Sequence, residues 1–240
     1  MSTLSVRKLV KIYRGRRVVN SVDLEVDSGD VIGLLGPNGA GKTTTFYMTV
    51  GMVKPDEGHV YLDDMEITDL PMYQRARRGV GYLPQESSVF RKLTVRQNVM
   101  AILETMSFSR KEREERATKL IEELGIHRLS DQKAGVLSGG ERRRLEIARC
   151  LVTNPSFILL DEPFAGIDPL AVIDIKKIIG HLKNKKIGIL ISDHNVRETL
   201  EACDKAYILN DGQVIESGSP NKIASSEIAR RIYLGDEFRL

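Results

Sequence analysis

The sequence predicts an α/β core that carries an antiparallel β subdomain and an inserted helical subdomain, and three observations predict it. The short apolar runs VIGLLG, FILLD and IGILIS are uninterrupted, and each is followed by a helix-like segment, the pattern of buried parallel strands with crossover helices. The first thirty residues instead alternate apolar and polar positions. Between Gln85 and Leu137 the strand runs vanish and helix formers take over.

Taken in order, LSVRKLVKIY and VVNSVDLEV are rich in β-branched residues and flank Arg14-Gly15-Arg16, so they predict two antiparallel strands joined by a turn. VIGLLG then predicts a buried strand that feeds the helix KTTTFYMTVGM through a glycine loop. In the middle third, TVRQNVMAILETM and SRKEREERATKLIEELGI predict helices, with Leu120, Ile121 and Leu124 on one face and the charged run Ser109–Arg116 as a solvated face. PLAVIDIKKIIGHLKNK is a further helix between FILLD and IGILIS. The end, SSEIARRIYLGDEFRL, begins as a helix with Ser226 as its cap; the last residues are either disordered or docked through Tyr233, Leu234 and Phe238. The expected organisation is a single domain over 1–240, with core and β subdomain at 1–85 and 156–240 and the helical subdomain at 86–155.

A chain of 240 residues suits one sizeable core. Hydrophobic residues at 41% and charged ones at 29% are a globular balance, and no apolar run approaches the ~20 residues that span a bilayer. Any membrane role must therefore come through a partner. MSTLSVRKLV has no apolar h-region or small-residue cleavage site, so the expected location is cytoplasmic. Cys150 and Cys203 lack CxxC spacing and read as inert thiols, not as a disulfide or metal pair. A net charge of +3, with no tryptophan, gives no argument for a nucleic-acid partner.

Gly36-Pro37-Asn38-Gly39-Ala40-Gly41-Lys42-Thr43 matches G-x-x-x-x-G-K-[ST] in full, after a strand and before a helix, which is the context a phosphate-binding loop needs. Its glycines let backbone N–H groups face phosphate oxygens, the helix N-terminus and Lys42 supply positive charge, and the Thr43 hydroxyl, with Thr44 beside it, suits Mg²⁺. Ile158-Leu-Leu-Asp161-Glu162 ends a buried strand in two carboxylates, so Asp161 is expected in the Mg²⁺ shell and Glu162 is expected to polarise an attacking water. A second glycine turn, Leu137-Ser138-Gly139-Gly140-Glu141, opens onto the helix ERRRLEIARCLV; Ser138 and Glu141 form a capping box, which by itself does not require the two glycines. Arg142, Arg143 and Arg144 point in three directions on this helix and read as surface and partner contacts.

With the glycine loop, ILLDEP and LSGGE in this order, the chain resembles the ATP-binding-cassette ATPases over essentially all its residues. The resemblance implies that Tyr13 stacks on adenine, that Gln85 is the Q-loop residue, that Asp168 belongs to the D-loop and that His194 is the switch histidine. Gln85 and Thr43 would be metal ligands, with Asp161 reaching the ion through water. It also implies that Ser138, Gly139 and Gly140 close on ATP held by a second copy, which makes the working unit a homodimer. GRRVV, GPNGAGKTTTFYM, RARRGVGYLPQE, LLDEPFAGIDP, DHNVRETL and the ending YLG-x-x-FRL are most similar to the ATPase subunits of lipopolysaccharide export systems. The ATPases of branched-chain amino-acid importers are the close alternative, and the ATPase motifs do not separate export from import. Soluble cassette ATPases of DNA repair or translation usually carry coiled coils or tandem cassettes that this chain lacks. The implied membrane subunits would dock on ESSVFRKLTV, where Phe90 and Leu93 offer an apolar floor and Arg91 a charged rim; the alternative is that Phe90 fills the core of the lobe.

Overall fold

A computed structural model describes residues 2–240. The chain runs through β1 (Thr3–Tyr13), β2 (Arg16–Asp27), β3 (Val31–Leu35), α1 (Lys42–Val50), β4 (Glu57–Leu62), β5 (Met65–Glu66), α2 (Met72–Arg77) and β6 (Val80–Leu83). Next come α3 (Val95–Leu103), α4 (Arg110–Glu123) and α5 (Gly139–Leu151). It ends with β7 (Phe157–Asp161), α6 (Pro169–Asn184), β8 (Gly188–Ser192), α7 (Val196–Ala202), β9 (Lys205–Asn210), β10 (Gln213–Gly218), α8 (Pro220–Ser225), α9 (Glu227–Ala229) and a π turn at Arg230–Leu234.

The β1–β2 hairpin forms as expected, with Arg14 at φ 49° and Gly15 at φ 79°, the left-handed pair that matches the twist of two paired strands. The sequence reading missed the remainder of that sheet. β4 pairs with the other edge of β1 and β5 extends it, in the order β2-β1-β4-β5. It also missed the β9–β10 hairpin, turned by Asp211 at φ 46° and Gly212 at φ 78°. The larger sheet has the order β10-β9-β3-β8-β7-β6 and is parallel except at β10.

Each central strand sends alternate residues to two apolar layers. Ile32, Leu34, Leu159 and Leu190 pack with Phe46 and Met48 of α1 and with Leu4, Val6 and Leu24 of the small sheet. Val31, Leu35, Ile158, Leu160 and Ile191 pack on the opposite face, in one continuous cluster with Leu145 and Ile147 of α5, Ile175 and Ile179 of α6, and Val95, Val99 and Ile121 of α3 and α4. The helices of 86–155 thus share a core with the sheet and do not enclose one of their own. Two of them start on capping boxes that the motifs read above do not include: Thr94 with Gln97 opens α3, and Ser109 with Glu112 opens α4. The thiols of Cys150 and Cys203 are unpaired, and burial pushes both up to about 12, as expected of inert cysteines.

Candidate functional site

Strand register brings the predicted residues to one edge. Leu34 of β3 and Asp161 of β7 both pair with Ser192 of β8, and Leu83 of β6 pairs with Leu160. The chain therefore leaves four parallel strands at nearly one level, into Gly36, Gln85, Glu162 and His194. This is the carboxyl edge, where open α/β sheets bind ligands.

Residues 36–44 wrap the start of α1. Gly36 sits at φ 146° and a Cβ there would lie 2.1 Å from the Leu209 carbonyl oxygen, while one on Gly41, at φ 99°, would lie 2.6 Å from the Val18 carbonyl oxygen. Only glycine fits where the loop is pressed between β9 and β2. Pro37 is half-buried and Ala40 buried, whereas Asn38, Gly39 and Thr43 are exposed and Thr44 is half-buried, so the loop has a fixed floor and an open rim. Lys42 Nζ donates to the Gly36 and Pro37 carbonyls at 2.6 and 2.9 Å. Burial lowers the pKa of this ammonium, and the carboxylates of Glu162 and Asp161 oppose that shift, which puts both acids close enough to act on it. Tyr13 lies on the hairpin that touches this loop through Val18; it is exposed, with Lys11 Nζ 5.5 Å from the ring centre.

Gln85 and His194 converge on Glu162. Gln85 Nε2 donates to Glu162 Oε2 at 2.7 Å, and His194 Nδ1 lies 3.3 Å from the same oxygen. Glu162 itself has φ 47°, a left-handed backbone that costs a non-glycine residue on the order of 1–3 kcal/mol and commonly marks a functional turn. Asp161 is buried, accepts from the Tyr82 hydroxyl at 3.3 Å, and has its pKa raised chiefly by burial. The sequence reading missed Asp193. This fully buried carboxylate accepts from the Phe164 and Asn195 amides, each at 2.8 Å, and so ties the turn after β7 to the turn after β8. Its position immediately before His194 was the available signal.

The second glycine turn has the predicted capping box. Ser138 accepts from the Glu141 amide, and Glu141 Oε2 accepts from the Ser138 amide and hydroxyl, both at 2.8 Å. The glycines have a local reason as well: a Cβ on Gly140 would lie 2.9 Å from Ala171 Cβ of α6, and one on Gly139 3.3 Å from Ile167. Asp168 caps α6 by accepting from the Ala171 amide at 2.9 Å. Ser138 is exposed and shares a cavity of about 350 Å³ with Asp168, Arg144 and Asp174, a lining that includes none of residues 36–44.

The reading of Arg142, Arg143 and Arg144 as surface and partner contacts requires correction at Arg143, while Arg142 and Arg144 stay partly exposed. Arg143 is buried and donates to the Pro84 and Asp161 carbonyls and to Glu146, linking α5 to the strand ends immediately before Gln85 and Glu162. Arg142 donates to the Leu137 carbonyl, and Arg144 to Leu124 and Asp174. The alternative that Phe90 fills the lobe core fails too, because it is 45% exposed while its neighbour Val89 is buried. Arg149 stacks on the Phe90 ring at 4.6 Å, Asn98 brackets its backbone, Arg91 is exposed and Leu93 half-buried. The C-terminal segment is folded against its own chain: Tyr233, Leu234 and Phe238 pack on the core and Arg197 donates to the Arg239 carbonyl.

The family profile described as ABC transporter matches residues 19–165. The chain is 57% identical to the lipopolysaccharide export system ATP-binding protein LptB of Escherichia coli (strain K12), over all of both chains. It is 56% identical to the protein of the same name from Acidithiobacillus ferridurans, covering 99% of this chain and 98% of that one. Among solved structures, an ATP-binding cassette of an ABC transporter in its ADP conformation superposes with a TM-score of 0.88 at 31% identity, covering 98% of this chain and 100% of that one.

Proposed function

Because the chain belongs to the ABC transporter family, as its ATP-binding ATPase component, we propose that it hydrolyses ATP to power lipopolysaccharide export and that Glu162 is its general base. The observation that carries the chemistry is the convergence of Gln85 and His194 on one Glu162 oxygen beside the phosphate loop. Export is favoured over amino-acid import by the full-length identity to proteins named for lipopolysaccharide export.

In this reading the amides of residues 36–44 and Lys42 hold the phosphates, and Tyr13 faces the adenine. The open rim at Asn38 and Gly39, the exposed Thr43, and Asp161 close enough to act on Lys42 fit a polyphosphate with a divalent cation. Bound Mg²⁺ would supply charge neutralisation, with Thr43 and Gln85 as ligands and Asp161 held behind water. Glu162 accepts the proton of the attacking water, Gln85 fixes that carboxylate, and His194 orients the water and the terminal phosphate. Asp193 sets the spacing between Glu162 and His194.

Ser138, Gly139 and Gly140 complete the site of a second copy, so the active form is a homodimer on the cytoplasmic face of the inner membrane. Its membrane subunits dock at Phe90 and Arg91. No helix among the described residues is long and apolar enough to cross a membrane. The test pairs two measurements on the purified complex: His194→Ala should cut ATP turnover at least 100-fold with ATP binding retained, and pull-down from solubilised membranes should recover integral subunits with lipopolysaccharide. Normal turnover in His194→Ala overturns the site assignment; recovery of importer subunits instead overturns the transport assignment.

A further inference from the structure

Arg75 opens the stretch RARRGVGYLPQE but was given no role there, yet it is among the most enclosed side chains of the molecule, 1% exposed. Among the described residues its guanidinium donates to four carbonyls and to no carboxylate. Nη1 reaches Met48 and Thr49 at 2.8 and 2.7 Å, Nη2 reaches Thr68 at 2.7 Å, and Nε reaches Leu70 at 2.8 Å. Met48 and Thr49 stand at the C-terminal end of α1, where the last carbonyls of a helix lack intrahelical partners. Gly51 leaves the room, since a Cβ there would lie 2.7 Å from Arg75 Nε. The carboxylate that acts on the guanidinium is Asp69, an exposed residue already paired with Lys54 at 2.6 Å. Burial pulls the pKa of Arg75 down to about 10, so it stays charged at neutral pH.

A buried cation without an acid partner is costly, and it is retained here at the negative end of the helix whose positive end opens on the phosphate loop. We infer that Arg75 is a positioning residue of the nucleotide site: it locks the far end of α1 and adds a positive charge behind it, hydrogen-bonded to no carboxylate, that strengthens binding of the triphosphate at residues 36–44. This rests on the reading of that loop as the ATP site. α1 has nine residues and is therefore about 14 Å long, within reach of charge interactions through a partly shielded interior. The effect should grow with the net charge of the ligand, and so be larger for Mg-ATP than for Mg-ADP.

The test measures Kd of Mg-ATP and Mg-ADP by displacement of a fluorescent nucleotide, with Tm, for the full chain. Arg75→Met is expected to raise Kd by roughly five- to tenfold for Mg-ATP and two- to threefold for Mg-ADP. Arg75→Lys, which keeps the charge but cannot span four carbonyls, is expected to melt lower than the parent with both Kd values within twofold. If Arg75→Met does not fold, Arg75→Gln, neutral but still able to donate to two carbonyls, carries the same expectation as Met. A folded neutral variant with unchanged Kd for Mg-ATP, or equal losses for the two nucleotides, overturns the inference. Lys42→Ala is the benchmark: if it too leaves Mg-ATP binding intact, the assignment of the loop fails, whereas loss there with none in the neutral Arg75 variants refutes only the role of Arg75.

Discussion

Glu162→Gln removes proton acceptance while keeping the size and shape of the residue. The amide has the shape of the carboxylate, its oxygen can still accept from Gln85 Nε2 at 2.7 Å, and nothing in the substitution alters the left-handed backbone at φ 47°. What disappears is one basic oxygen and one negative charge beside Asp161 and Lys42. A general base contributes ~10²–10⁴-fold, or roughly 3–5 kcal/mol of barrier, so turnover should fall by at least 100-fold. Removing a negative charge from an anion site should leave Kd for Mg-ATP equal or somewhat lower. Phosphate release at saturating ATP measures the first quantity, and fluorescent-nucleotide displacement the second. Turnover within tenfold of the parent would refute the assignment of Glu162 as base. A large rise in Kd would show instead that the residue chiefly builds the pocket.

Mixed dimers test the shared site: a Ser138→Ala copy paired with a Lys42→Ala copy should retain one intact composite site and hydrolyse ATP faster than either parent homodimer, measured after dual-tag purification, and no excess over the parents would sink the cross-chain role of Ser138. Phe90→Ala should leave the ATPase activity of the isolated chain within about twofold while abolishing co-purification with integral membrane subunits; undiminished co-purification removes the interface from this surface. Asp161→Asn should raise Tm of the nucleotide-free chain at pH 7–8. Because burial raises the Asp161 pKa in the folded state, its ionised form destabilises the fold at neutral pH, so the gain should shrink as pH falls through that raised value, and a gain that is constant with pH contradicts the cause given.

The sequence made the edge that carries the candidate site legible because its parts are local: a strand ending in glycines, a strand ending in Asp161-Glu162 and a strand ending before His194 must leave a parallel sheet at one edge. What it left hidden depends on contacts between distant segments. Arg143 looked like any arginine on a polar helix face, and only the approach of α5 to β6 and β7 turns it inward onto the Pro84 and Asp161 carbonyls. Arg75 was hidden for the same reason, its partners lying 5 to 27 positions away in the chain. The strands β4 and β5 escaped notice because EGHVYL and ME are too short and too polar to stand out without β1 beside them. Phe90 shows the converse: Val89 and Phe90 are equally apolar in sequence, and a single residue of offset decides which one is enclosed.

The close approach of Gly140 to Ala171 yokes two loops that the sequence presents as separate. Ser138 starts one helix and Asp168 caps the next, and where Gly140 meets Ala171 there is no room for even one added methyl group. In the proposed pair, a protomer that withdraws its glycine turn from the partner's nucleotide would necessarily withdraw its Asp168 turn in the same stroke.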